Sequence, residues 1–162
     1  MSEDLSLPLD ESRVADQIVP MTTRAMVSAD YAFVFGTWLQ GHYEKSNWAK
    51  GLEWEVYKNH HHALIEEILD KGKALVACDP GYENQIYGYI VYYGIPHQGL
   101  VLHYVYTKGP FRRFGVANHL MAEAGFTKMT PFAFTQLNNQ DVIHDLRKKW
   151  PLARYNPYLL TR

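Results

Sequence analysis

Between Tyr104 and Met121 the chain reads YVYTKGPFRRFGVANHLM. A β-rich run leads into a basic turn with Lys108, Gly109, Arg112, Arg113 and Gly115, and then into Val116, Leu120 and Ala124, spaced as one face of a buried helix. The basic cluster therefore falls at a helix N-terminus. Unpaired amides there carry partial positive charge, a glycine admits a ligand close to the backbone, and arginines add charge-assisted bonds to phosphate oxygens. The segment is built like an anion cradle, with a phosphate or diphosphate as its natural guest. No Gly-Lys-Ser/Thr follows and no G-x-G-x-x-G is present, so an NTPase and a Rossmann dehydrogenase both lose ground.

Other chemistry-bearing residues carry less. His60, His61 and His62 are consecutive, and at about 100° per residue on a helix they point three ways, so one metal cannot collect them. No metal site is expected, and His61 reads as a core or cleft histidine. No G-x-S-x-G marks a serine nucleophile. Cys78, the single cysteine, lies in an apolar run and reads as packing. It excludes an intramolecular disulfide framework and fits a reducing compartment.

The elements that must position the cradle follow from periodicity. Residues 1–17 are polar and acidic and read as a flexible arm, and one domain over 18–162 follows. Val19 to Val27 predicts a first strand, with Ser28 and Asp30 able to cap a helix running to about Gln40. Gly41 to Gly51 reads as a loop whose Tyr43 and Trp48 suit a binding surface. Trp54, Tyr57, His61, Leu64 and Ile68 share one face of a helix over Trp54 to Lys71, closed by Gly72. Ala74 to Cys78, Ile86 to Tyr93 and Leu100 to Tyr106 predict three adjacent antiparallel strands. After the cradle and its helix come a strand at Phe132 to Thr135, a helix carrying Val142, Ile143, Leu146 and Trp150, and an extended end from Ala153 to Leu160.

Composition bounds the function. Of 162 residues, 47% are hydrophobic and 20% charged, which supports a packed core. The net charge of -1, from 16 basic and 17 acidic side chains, gives no global field toward nucleic acid or anionic lipid, so a nucleic-acid partner is disfavoured. No run of 18 apolar residues and no basic, apolar leader is present, so neither membrane insertion nor export is expected and the cytoplasm is the default.

Arg112, Arg113, Phe114, Gly115, Val116 and Ala117 resemble the R-x-x-G-x-A acetyl-CoA signature of the GCN5-related N-acetyltransferase (GNAT) family, and the element order from Val19 to Leu160 is similar to that family's. The resemblance implies a mixed α/β fold with a mostly antiparallel central sheet, splayed around the fourth strand and flanked by helices. It implies acetyl-CoA as acyl donor and a primary amine of a small molecule or protein as acceptor, and it leaves room for a homodimer. By the same resemblance the pantetheine arm lies against Val105, Tyr106 and Thr107. The cradle amides from Arg112 to Ala117 hold the pyrophosphate, and Asn139 touches the cofactor arm. Trp38, Tyr43, Trp48 and Trp54 surround the connection that shapes the acceptor pocket in that family, with Glu44, Glu53 and Glu55 nearby.

Two expected catalytic positions depart from the family. Val101 stands where a carboxylate base often sits, and Leu146 where a tyrosine often protonates the leaving thiolate. His103 is two residues beyond Val101, hence expected on the same strand face, and is the candidate base. His144, Tyr155 or Tyr158 could replace the tyrosine only if the chain end folds back to the cleft. Deprotonating a lysine at neutral pH costs roughly 4.6 kcal/mol, an α-amine only about 1 kcal/mol, so these departures argue against lysine acceptors more than against catalysis. The alternative is a GNAT-like binding protein without turnover.

Overall fold

The run from Ile86 to Tyr93 is apolar or aromatic at nearly every position, the pattern of a strand covered on both faces. It forms the middle of a sheet in the computed structural model, which describes residues 19–95, 99–136 and 146–160. Six strands lie side by side in chain order: β1 (Thr22–Ala25), β2 (Lys73–Asp79), β3 (Tyr82–Ile95), β4 (Gly99–Thr107), β5 (Phe132–Phe134) and β6 (Ala153–Tyr155). β1 to β4 are antiparallel neighbours, whereas β5 runs parallel to both β4 and β6. The expected mixed α/β architecture, with a mostly antiparallel sheet flanked by helices, is observed.

Helices cover both faces. Tyr89 and Val91 of β3 face α1 (Tyr31–Lys45) and α3 (Trp54–Lys71), in a core with Val34, Trp38, Ile65 and Ile68. Ile90 and Tyr92 face α4 (Val116–Ala124), in a core with Leu120, Phe132 and Trp150. Each such side chain contributes about 1.5–3 kcal/mol by burial, which secures the register of the strand between the two layers.

Three expectations change. Gly41 to Gly51 is not a loop: α1 continues to Lys45, and after Ser46 a short α2 (Asn47–Lys50) follows. Tyr43 packs its ring 5.0 Å from Trp54 and 4.9 Å from Tyr57, and that tertiary contact outweighs the local glycine and asparagine signals. No side-chain cap forms at the start of α1; instead Asp30 takes both Arg24 guanidinium nitrogens, at 2.7 and 2.9 Å, and the Val27 amide, tying β1 to the helix. The chain end is extended only from Ala153 to Tyr155, after which Pro157–Leu159 forms a turn of 3-10 helix. Residues 146–149 are helical, as the stripe at Leu146 and Trp150 implies. Asn139, His144 and the N-terminal arm lie outside the described residues.

Candidate functional site

β4 and β5 pair only at Val101 with Ala133 and Leu102 with Phe134, the Thr135 amide then bonding to the Leu102 carbonyl at 3.1 Å. β4 runs on to Thr107, so from His103 onward its edge on that side has no strand partner among the described residues. This is the splay expected around the fourth strand. A cleft of about 550 Å³ opens there, floored by Tyr104, Val105, Tyr106 and Thr107 and walled by Arg112, Arg113 and residues 115–118. Lys45 of α1 and Lys149 bring two further cations to its rim.

The cradle is open as built. Its turn closes with Phe111 N bonding to Lys108 O and Arg112 N to Gly109 O, and the first bond of α4 runs from His119 N to Gly115 O. Amides from Arg113 through Asn118 make no well-formed hydrogen bond to a described residue, only the weaker contacts of the turn at 112–115, and are the set that a helix start leaves for an anion. Arg113 and Gly115 both have positive φ, 75° and 78°. The left-handed region costs a non-glycine residue about 1–2 kcal/mol, so Arg113 stores strain where the amides converge, while glycine at 115 relieves it. Arg112 Nε donates to Thr107 O at 3.2 Å, holding its side chain across the end of β4.

Of the expected cofactor residues, Val105, Tyr106, Thr107, Arg112, Arg113, Gly115, Val116 and Ala117 line the one cleft. Phe114 lies in the turn but not on the lining.

His103 is placed differently. Tyr92 pairs with Leu102 and Val91 with Tyr104, leaving His103 as the extra residue of a bulge. Leu102 and Val105 pack with α4, but Tyr104 and Tyr106 pack with α1 and α3, so strict alternation along β4 is interrupted at His103. The imidazole is buried, with Nδ1 2.9 Å from Thr135 Oγ1, and is absent from the cleft wall. Burial pushes it down to about 4, so it is neutral at pH 7. Val101 is buried and Leu146 packs into the core under α4, so neither offers an acid or base. Tyr155 and Tyr158 are exposed and line no part of the cleft.

A second polar cluster lies one step along from Thr135. Gln136 accepts from Trp38 Nε1 at 3.4 Å, close to His61, whose ring lies 4.9 Å from both His42 and Tyr57 in a three-ring cluster. Burial, and then the neighbouring His42, push His61 down to about 4. The Gln136 amide opposes this without making a well-formed hydrogen bond, since His61 Nε2 and Gln136 Nε2 are both buried and unpartnered. Trp48 and Trp54 border this region and remain partly exposed, whereas Trp38 is wholly buried. Among the described residues no group of three His, Cys, Asp or Glu could hold a metal ion, and no helix is long and apolar enough to cross a membrane.

Two solved structures match this architecture at a TM-score of 0.55. One is a possible acetyltransferase from Clostridium difficile 630, 16% identical, with 85% of this chain and 93% of that chain covered. The other is a protein assigned as an acetyl transferase from Pyrococcus furiosus, 13% identical, with 79% and 91% covered. A third, assigned as an acetyltransferase from Deinococcus radiodurans R1, matches at 0.50 and 13% identity over 85% of each chain. No family model and no curated protein matches the sequence. The chain has the GNAT fold, and these three structures carry acetyltransferase names.

Proposed function

We propose that the protein is an acetyl-CoA-dependent N-acetyltransferase acting by direct transfer to a primary amine, in the cytoplasm. The observation that carries this reading is the row of amides from Arg113 to Asn118 that make no well-formed hydrogen bond, opening into a cleft whose floor is the unpaired edge of β4. Those amides, with Arg112, Arg113 and the rim lysines, fit a diphosphate ester. The backbone of Val105, Tyr106 and Thr107 offers the strand-like bonds that the amides of a pantetheine arm require, and Asn139 is assigned to the same arm by resemblance. When bound, acetyl-CoA supplies an acetyl thioester.

On the acceptor side His103 is the proposed base, buried one residue along β4 from the cleft wall and hydrogen-bonded to Thr135. A group near 4 cannot deprotonate an alkylammonium, because the mismatch of about 6 units is roughly 8–9 kcal/mol. The acceptor nitrogen must arrive uncharged, which favours an α-amine or a less basic amine over a lysine side chain. Apolar Val101 and Leu146 favour a second reading, a CoA-binding protein without turnover.

Thermal shift with acetyl-CoA, CoA and ATP tests the first step. Ligand at 100 times its dissociation constant stabilises by about 2.7 kcal/mol, and no response to either CoA species removes both readings. Thiol release over a panel of amines then separates enzyme from binder, and an unchanged rate for His103→Ala across pH acquits that residue.

A further inference from the structure

Two neighbouring cavities share part of a wall, and one hydroxyl of the first lies against a glycine of the second. The cleft described above ends inward at Tyr104, the lining residue of β4 nearest the last β4–β5 pair. A second groove of about 440 Å³ runs along α1 over Gly36, Thr37, Gln40, Gly41 and Glu44, and shares Lys45, Tyr106 and Arg112 with the cleft. The Tyr104 hydroxyl lies against Gly41, where a Cβ would sit 3.2 Å from it. A glycine in a helix interior costs about 1 kcal/mol relative to alanine, and here its missing side chain leaves space for the phenol.

The Tyr104 ring is held flat against Trp38, 4.7 Å between centroids and 6° between planes. Its hydroxyl nonetheless makes no hydrogen bond with any described residue and is not among the enclosed polar atoms. A fixed ring with an uncommitted O–H, in the wall of the cleft and beside Gly41 of the groove, is a donor waiting for a partner. Burial pushes the phenol up to about 12, with Tyr106 adding and Arg112 opposing, so the proton is present at neutral pH.

We infer that Tyr104 is a catalytic residue, its hydroxyl donating to the sulfur of the acyl donor as the acceptor amine attacks from the α1 groove. This rests on the transferase reading above. As the N–C bond forms, the C–S bond breaks and the phenol proton passes to sulfur. The proton lost by the nitrogen returns to the phenolate through water, so the products are an amide and a free thiol. Tyr104 thereby takes the part left empty by Leu146, from the strand rather than from the helix.

The test titrates the thiol of bound CoA by its thiolate absorbance in the wild-type protein and in Tyr104→Phe, alongside steady-state kinetics. The expected result is CoA affinity unchanged within about twofold, a thiol pKa at least one unit lower in the wild type than in the variant, and kcat reduced at least 30-fold with little change in KM for acetyl-CoA. Gly41→Ala, which crowds the hydroxyl without removing it, is expected to lower kcat in the same way at constant CoA affinity. Equal thiol pKa values in wild type and Tyr104→Phe, with CoA bound to both, overturn the role of Tyr104 and leave the donor site standing. Failure of the wild-type protein to bind CoA overturns the transferase reading, and this inference with it.

Discussion

The cradle and the buried cluster of His61, His103, Thr135 and Gln136, here the histidine floor, are built by opposite means. From Thr107 to Asn118 the working groups are main-chain amides, left open by a turn with two positive φ angles and ringed by cations. Around His61, His103, Thr135 and Gln136 the working groups are side chains, buried and neutral, held by ring stacking and short polar contacts. A backbone site keeps its charge preference at any ordinary pH, because amides do not titrate. A buried imidazole site is pH-sensitive, since protonating it means charging the interior.

The largest test of that contrast is acid stability. His61 and His103 sit near 4 in the folded protein against about 6.5 when unfolded. Above pH 6.5 both states are neutral and nothing is lost. Between 6.5 and about 4 the unfolded chain takes up protons that the folded one refuses, so stability falls as pH drops and levels off below 4. Each histidine removes up to about 3 kcal/mol. Urea melts over that range are expected to show the fall in the wild type and a shallower one in His61→Phe, whereas an equal slope in both would remove the histidine floor as its cause.

Next in size, Gly115→Glu brings a carboxylate and a strained φ to the cradle. Calorimetry is expected to show CoA affinity down at least 100-fold, about 2.7 kcal/mol, and retained affinity would break the assignment of the amides. Arg113→Gly separates strain from function. Releasing the positive φ is expected to leave the melting temperature unchanged or raised by an amount equivalent to about 1 kcal/mol, while CoA affinity drops about tenfold. A melting temperature that falls instead would show that the Arg113 conformation is not strained. Smallest, Lys45→Ala and Lys149→Ala each cost two- to fivefold in affinity, an effect that salt should erase because both charges sit on an open rim.

Much of the frame was legible in the chain. The three- and four-residue spacing over Trp54 to Lys71 marks α3 to the residue, and the apolar runs mark β2, β3 and β4 within a few positions, because burial on a helix or strand imposes its own period. The cradle residues, Phe114 apart, were legible as a set because they are contiguous and their chemistry depends on a local turn. The helical course of Gly41 to Lys45 was hidden, since it depends on Tyr43 meeting rings eleven and fourteen residues away in sequence.

Tyr104 was hidden more deeply. A tyrosine in an apolar strand looks like core, and only Trp38 behind its ring and Gly41 beside its hydroxyl fix that hydroxyl between the cleft and the α1 groove. The same bulge that breaks alternation at His103 turns Tyr104 toward α1. Sequence by itself determined the sheet, its helical cover and the basic, glycine-bearing turn before α4, all consequences of local periodicity and backbone chemistry. Tertiary structure alone decided which side chains reach the cleft, because one inserted residue reverses the facing of everything after it and no local pattern records where that residue falls.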